Sequence, residues 1–258
     1  MFVYSEHFAK KGANEVLTCL IWYITNIVPG TCTHLHIYCD NTYGQNKNRY
    51  LFAVLQNLAN NRFTNVCVHY PVPGHSRMPI DGDFGRITCK SNMCEKMSYP
   101  SDVVHVIQNA QKEKPFNIVY VNNNLTDDLC DDGRVVLDVK DFKSALESLL
   151  LTTQKANLNL QNTRELLFRP HQSLTLNFSE RFDHNKRELS LFKTNVSADN
   201  LSEALNTARS AYDDFLPISA IKLRNVEELT KYVVQKPNLN FYSTLYTEVD
   251  GLRKYFNA

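Results

Sequence analysis

The first seventy residues alternate between strand-like and helix-like segments, and this alternation limits the possible folds more than any other feature. Short apolar runs typical of strands occupy residues 2–4, 35–39 and 66–70, and apolar residues recur at helical spacing over 17–28 and 51–58. Strands that alternate with helices are typical of an α/β sheet with at least one right-handed parallel crossover. We therefore predict an α/β fold in which helices flank a mixed sheet.

The pattern changes beyond residue 112. Strand-like runs at 165–169, 174–178 and 188–192 predict an antiparallel meander, and Asp199 begins further helical sequence. The remaining predicted elements are strands at 117–121 and 135–139 and helices at 103–111, 142–150, 226–234 and 245–256. We predict a core at residues 1–112 and an α+β extension at 113–258 that packs on it.

Composition and charge limit the partners and the cellular compartment that we expect for this protein. The net charge of +1 creates no global basic field, so DNA binding would need a local cluster of cations. The opening sequence does not resemble a signal peptide, and the apolar stretch 16–28 falls short of the ~20 residues of a membrane span. Scattered cysteines are typical of reduced thiols, and Cys89 and Cys94 lack the matching pair of a zinc motif. We predict a nuclear or cytoplasmic protein that is neither secreted nor membrane-bound.

Asp40 is the first candidate for chemistry. It follows the predicted strand at 35–39, and ligands of open α/β sheets gather at the carboxyl ends of strands. An aspartate here also suits a simple turn, because its side chain bonds to nearby backbone. The next segment, Gly44–Arg49, offers backbone amides and two cations, Lys47 and Arg49, beside a helix start. This arrangement suits a phosphate, or a polar loop that caps the helix.

Two further groups of residues are candidates. The segment Gly74–Arg86 follows the predicted strand at 66–70 and is dense in charge: His75, Arg77, Asp81, Asp83 and Arg86. Two-metal phosphodiester chemistry needs carboxylates that converge on Mg²⁺ ions ~3.5–4 Å apart. A surface loop has a similar composition. Glu15 is the third candidate, in the first turn of its helix, where acids are also favoured by the helix dipole alone.

Three segments carry a resemblance to a known family. They are Lys11–Glu15, Cys39–Arg49 and Gly74–Gly85, and the later segments 115–117, 166–169 and 221–233 are similar too. Together they resemble an uncharacterised domain of transposon-derived animal proteins, related to RNase H-like nucleases of the DDE transposase type. The resemblance covers nearly the whole chain. It implies that Asp40 ends a strand and that Asp81 and Asp83 lie on a helix.

The resemblance also implies an RNase H-like fold with a divalent-metal site that acts on DNA. A further catalytic aspartate would lie on a first strand upstream of Met1, so we expect an amino-terminally truncated core with an incomplete ligand set. The resemblance implies that Asp40, Asp83 and Glu15 bind Mg²⁺ or Mn²⁺, with support from Asp81. It implies that His75 positions water or phosphate. The implied contacts with DNA phosphates are made by Lys47, Arg49, Arg77 and Arg86. The alternative is a non-catalytic module, retained from a transposon, that binds nucleic acid, another protein or a missing amino-terminal region.

Overall fold

A computed structural model describes residues 1–72, 74, 78–97, 100–121, 136–152, 154–156, 158–170, 174–182, 186–214 and 216–232. Within these residues there are seven helices and eight strands. The helices are α1 (Ala13–Asn26), α2 (Arg49–Asn61), α3 (Pro79–Asn92), α4 (Pro100–Gln108), α5 (Phe142–Glu147), α6 (Ala198–Asn206) and α7 (Ala220–Thr230). The strands are β1 (Phe2–Val3), β2 (His34–Tyr38), β3 (Asn65–His69), β4 (Val119–Val121), β5 (Val136–Leu137), β6 (Glu165–Phe168), β7 (Thr175–Ser179) and β8 (Arg187–Ser190).

The chain divides into two units, each built from separate stretches of sequence. Unit 1 comprises Met1–Lys10, Pro79–Asp138 and Tyr212–Ala258. Unit 2 comprises Lys11–Met78 and Val139–Ala211. Both units draw residues from either side of position 112, so this division does not follow the boundary expected from the sequence.

Unit 2 contains a five-stranded mixed sheet with the strand order β2-β3-β6-β7-β8. β2 and β3 are parallel and are connected through α2, as the alternation of strands and helices predicted. β3 runs antiparallel to β6, and β6, β7 and β8 form the predicted antiparallel meander. The mixed α/β class expected from the sequence is therefore confirmed.

One face of this sheet carries the hydrophobic core of unit 2. Val66 and Val68 of β3 and Leu166 and Phe168 of β6 are fully buried on this face, two residues apart in each strand. The helices α1, α2, α5 and α6 contribute to the same cluster, for example through Leu55 of α2. Because burial of one such side chain is worth ~1.5–3 kcal/mol, the apolar helix stripes are held against this face.

The opposite face of the sheet is polar. It carries alternate residues of adjacent strands: His36 and Tyr38 of β2, Cys67 and His69 of β3, Glu165 of β6 and Ser179 of β7. β2 is an edge strand, and its residues alternate between exposed and half-buried.

Unit 1 contains a three-stranded parallel sheet with the strand order β1-β4-β5. In sequence, residues 2–4 look like the end of a strand whose partners would lie upstream of Met1, but Phe2 pairs with Val119, so the partner of β1 lies later in the chain. β1 is also absent from the sheet that contains β2 and β3. Asp81 and Asp83 lie on α3, a helix as the resemblance implied, which begins at Pro79 because proline suits the first position of a helix.

Several expectations fall beyond what the structure describes. His75, Arg77 and the predicted helix at 245–256 lie outside the described residues. Of the helices that are described, none has both the length and the apolar character needed to cross a membrane.

Candidate functional site

Asp40 lies just beyond the carboxyl end of β2, at the start of a loop that leads into α2. Its carboxylate accepts hydrogen bonds from the backbone N–H of Thr42 at 3.2 Å, the hydroxyl of Thr42 at 2.6 Å and the amide of Asn46 at 2.6 Å. Partial burial alone would raise the pKa of Asp40, but these bonds outweigh it and hold the pKa below its usual value. The residue is exposed, so the loop presents a fixed anionic carboxylate to solvent.

Other polar groups of this loop form hydrogen bonds within the loop and with α2. The backbone N–H groups of Gln45, Asn46 and Lys47 all donate to the carbonyl of Thr42. The side chain of Asn48 caps α2 by accepting a hydrogen bond from the N–H of Leu51 at 3.0 Å. These amides are therefore already satisfied, and the capping alternative describes the segment better than a phosphate cradle does.

Lys47 lies beneath the loop and is fully buried. Its ammonium donates to the side-chain oxygen of Asn41 and to the backbone carbonyl of Thr163, both at 2.8 Å, and lies 4.7 Å from the ring centre of Tyr70. Burial, helped by the nearby charge of Arg164, lowers the pKa of Lys47 to about 8. Acceptors of unit 2 enclose this charge, so the structure gives Lys47 a structural role, while its predicted contact with a DNA phosphate remains a prediction.

Arg49 is engaged in a comparable way at the start of α2. Its guanidinium pairs with the carboxylate of Glu147 in α5 and donates to the backbone carbonyl of Leu151 at 3.1 Å. Tyr50 completes the group, because its hydroxyl donates to Glu147 at 2.5 Å. Only 15% of the Arg49 side chain is exposed, and its guanidinium mainly links α2 to α5 through the ion pair with Glu147.

Glu15 caps the helix on which it lies. Its carboxylate accepts a hydrogen bond from the backbone N–H of Gly12, the N-cap residue of α1, at 2.9 Å, which is the half of a capping box that the side chain at N3 supplies. Glu15 is buried, and only 3% of it is exposed. The structure thus gives Glu15 a structural role, while its predicted role as a metal ligand remains a prediction.

The remaining predicted residues that the structure describes lie on α3 of unit 1. Asp83 forms an ion pair with Arg86 at 2.7 Å, one helical turn apart, and both side chains are partly exposed. Asp81 is exposed in the first turn of the same helix. The convergence of these acids with Asp40 of unit 2 remains a prediction.

The polar face of the unit 2 sheet holds a cluster that sequence reasoning missed. His36 Nδ1 lies 3.2 Å from His69 Nε2, and the ligand atoms of His36, Cys67 and His69 all lie within 4.8 Å of one another. On the far side of His69, the carboxylate of Glu165 lies 3.7 Å from Nδ1 and pairs with Lys186 at 3.2 Å. Burial lowers the pKa of His69, although the charge of Glu165 acts in the opposite direction. The lowered pKa favours the neutral imidazole at neutral pH.

A signal for this cluster was present in the sequence. His36 and Tyr38 are two residues apart in one predicted strand, and Cys67 and His69 are two residues apart in the next. Period-two spacing places each pair on one face of its strand. The register that brings the two pairs together is a property of the folded sheet.

Fold and site together define a mixed α/β protein that presents a carboxylate at the end of a parallel strand. The profile of a family described as a domain of unknown function (DUF7869) matches residues 1–159, well over half of the chain. The chain therefore belongs to this family. The matched part includes the Asp40 loop, β3 and α3 and ends before β6. Neither a curated protein nor a solved structure matches the chain.

Proposed function

We propose that the chain is an RNase H-like domain derived from a transposase. Its ancestral reaction is hydrolysis or strand transfer at DNA phosphodiester bonds with Mg²⁺ or Mn²⁺. The observation that carries this proposal is the position of Asp40, an ionised and exposed carboxylate at the carboxyl end of a strand in the parallel β2–α2–β3 unit. Ligands of open α/β sheets gather at this end of the strands.

The donor chemistry of Asp40 fits a hard cation. An ionised carboxylate has roughly four lone-pair positions, and three of them accept the hydrogen bonds from Thr42 and Asn46. One position remains for a metal, and Mg²⁺ prefers oxygen ligands. In the proposal Asp40 holds a metal ion in unit 2, while the metal-binding roles of Asp83 and Asp81 stay predictions. The bound metal would supply an activated water and charge stabilisation at the leaving oxygen.

A non-catalytic binding module is the second candidate function. Lys47 and Arg49 favour it, because both cations are used inside unit 2 and leave fewer charges for a DNA backbone. Glu15 favours it as well, since its carboxylate caps α1. In this candidate the fold of the transposase domain is kept for its surface, and no reaction takes place.

Iron-directed cleavage of the backbone distinguishes the two candidates. Fe²⁺ can replace Mg²⁺, and with ascorbate and peroxide it generates hydroxyl radicals that cut the chain near the metal. A His36→Ala background is needed, because His36 is four residues before Asp40 and belongs to the separate His36, Cys67 and His69 cluster. We expect cuts around residue 40, and we expect Asp40→Asn to remove them.

The matched control is Asp199→Asn, which changes an exposed aspartate at the start of α6 and should keep these cuts. The absence of cuts around residue 40 would contradict a metal site at Asp40. Cuts there that survive Asp40→Asn would do so too. Either result would leave the non-catalytic module as the better account.

A further inference from the structure

We propose that His36, Cys67 and His69 form a binding site for Zn²⁺ or a transition-metal ion of similar softness. The sheet itself builds this site. In the parallel ladder between β2 and β3, His36 lies opposite Cys67, and His69 follows Cys67 by two residues. All three side chains therefore leave the sheet on its polar face.

The distance between the two histidine nitrogens matches that between two nitrogen ligands of a tetrahedral zinc ion. Two nitrogens that each lie ~2.0–2.1 Å from Zn²⁺ are roughly 3.3 Å apart in a tetrahedral site. The observed separation of His36 Nδ1 and His69 Nε2 is 3.2 Å. Without a metal, one of these two nitrogens donates a hydrogen bond to the other. A bound metal would accept the lone pairs of both nitrogens, and the ring that donated would then carry its proton on its other nitrogen.

A second observation concerns how His69 is oriented. Its Nε2 faces His36, while its Nδ1 lies 3.7 Å from the carboxylate of Glu165. Histidines that bind metals almost always donate their other ring N–H to a carboxylate, a carbonyl or water, which fixes the tautomer. The side chain of Glu165 is only 11% exposed and pairs with Lys186. At 3.7 Å Glu165 acts on His69 through its charge and not through a hydrogen bond, and in the proposed site it is a positioning residue for His69.

The donor set selects the class of metal. Imidazole and thiolate ligands favour zinc-like ions, whereas Mg²⁺ prefers oxygen. This site is therefore chemically distinct from the carboxylate site proposed at Asp40. Three protein ligands leave a fourth position for water, and the exposed edge-strand residue His36 gives an ion access from solvent.

Co²⁺ binding to the chain tests the proposal, because the absorption spectrum of Co²⁺ reports both the geometry and the type of its ligands. Chain freed of metal with a chelator is titrated with CoCl₂ under reducing conditions. We expect one equivalent to bind, with the strong visible bands of tetrahedral Co²⁺ and a thiolate-to-cobalt charge-transfer band. Added Zn²⁺ should displace the Co²⁺ and bleach both features.

Variants assign the spectrum to residues. Cys67→Ser should remove the charge-transfer band, and His36→Ala, a change at an exposed position that leaves the core intact, should abolish stoichiometric binding. Glu165→Gln should weaken binding by roughly 10–100-fold, the usual effect of losing the partner of a metal-bound histidine. The controls His34→Ala and Cys89→Ser change another exposed histidine of β2 and an exposed cysteine of α3, and both should bind normally. Absence of tetrahedral bands, or a charge-transfer band that survives Cys67→Ser, would overturn the proposal.

Discussion

The ammonium of Lys47 donates a hydrogen bond to the backbone carbonyl of Thr163 at 2.8 Å, and this bond joins the loop after β2 to the residue two positions before β6. The two residues are 116 positions apart in the chain. The same ammonium holds the side chain of Asn41, the neighbour of Asp40. A buried cation therefore fixes the base of the loop that presents the candidate carboxylate.

We predict that Lys47→Met destabilises the protein by about 2–4 kcal/mol. The substitution leaves the carbonyl of Thr163 buried without its donor, and each unsatisfied buried group costs ~1–3 kcal/mol. Urea unfolding followed by circular dichroism measures the change. Lys11→Met alters an exposed lysine of the same unit and should have little effect. Equal stability of the two variants would show that the buried bonds of Lys47 contribute nothing.

Nuclease activity of this chain should be weak or absent. Glu15 caps α1, and Asp40 has about one lone-pair position left for a metal, so few carboxylates remain for two ions. Nicking of supercoiled plasmid with Mg²⁺ or Mn²⁺ measures this activity. We expect no cleavage above that of Asp40→Asn. Robust cleavage that this substitution abolishes would show that the chain is a complete enzyme.

The affinity of the chain for DNA should depend only weakly on the salt concentration. Of the four predicted phosphate contacts, Lys47 is buried and Arg49 pairs with Glu147, which leaves Arg77 and Arg86. Two contacts correspond to a slope of log affinity against log salt of about −1.8, at ~0.9 per phosphate. The exposed ion pair of Arg86 with Asp83 is worth only ~0–1 kcal/mol, so a phosphate can replace it.

Fluorescence anisotropy with a labelled duplex between low and moderate salt measures this slope. Arg86→Ala should flatten it by about 0.9, the value for one phosphate. Lys155→Ala removes an exposed lysine that we do not place at the DNA and should leave the slope unchanged. A slope near −3.6, which corresponds to roughly four contacts, would mean that cations other than Arg77 and Arg86 carry the binding.

Stability should fall with acidification because of His7. Burial lowers the pKa of His7 to about 4, against the opposite effect of Glu6. The unfolded chain, with a pKa near 6.5, therefore binds more protons than the folded chain between these two values. The contribution of His7 to the free energy of unfolding is fully present above pH ~6.5. It is lost as the pH falls toward ~4, and the loss amounts to at most about 3 kcal/mol.

His7→Gln removes this titration and tests the prediction. Urea unfolding at several pH values should show that the stability difference between the wild type and the variant shrinks from pH 7.5 to pH 5, since only the wild type has the buried imidazole. Parallel pH profiles for the two proteins would show that His7 is as easily protonated in the folded state as in the unfolded chain.

The local architecture of unit 2 can be predicted from the amino-acid sequence. The apolar spacing predicted the β2–α2–β3 unit, the three-stranded meander and the position of Asp40 after a strand, and the structure has all three. These features follow from sequence because burial on one face of a helix or strand imposes a period on neighbouring residues. Side-chain caps such as Asn48 act over three residues and are equally local.

The contacts between residues that are distant in the chain depend on the folded structure. Lys47 looks like a phosphate ligand in sequence, yet its partner is a carbonyl 116 residues away. β1 pairs with β4 through a ladder that no local pattern specifies. His36 and Cys67 face each other because β2 and β3 adopt one particular register. Such contacts depend on the packing of the whole sheet and not on the period of any single segment.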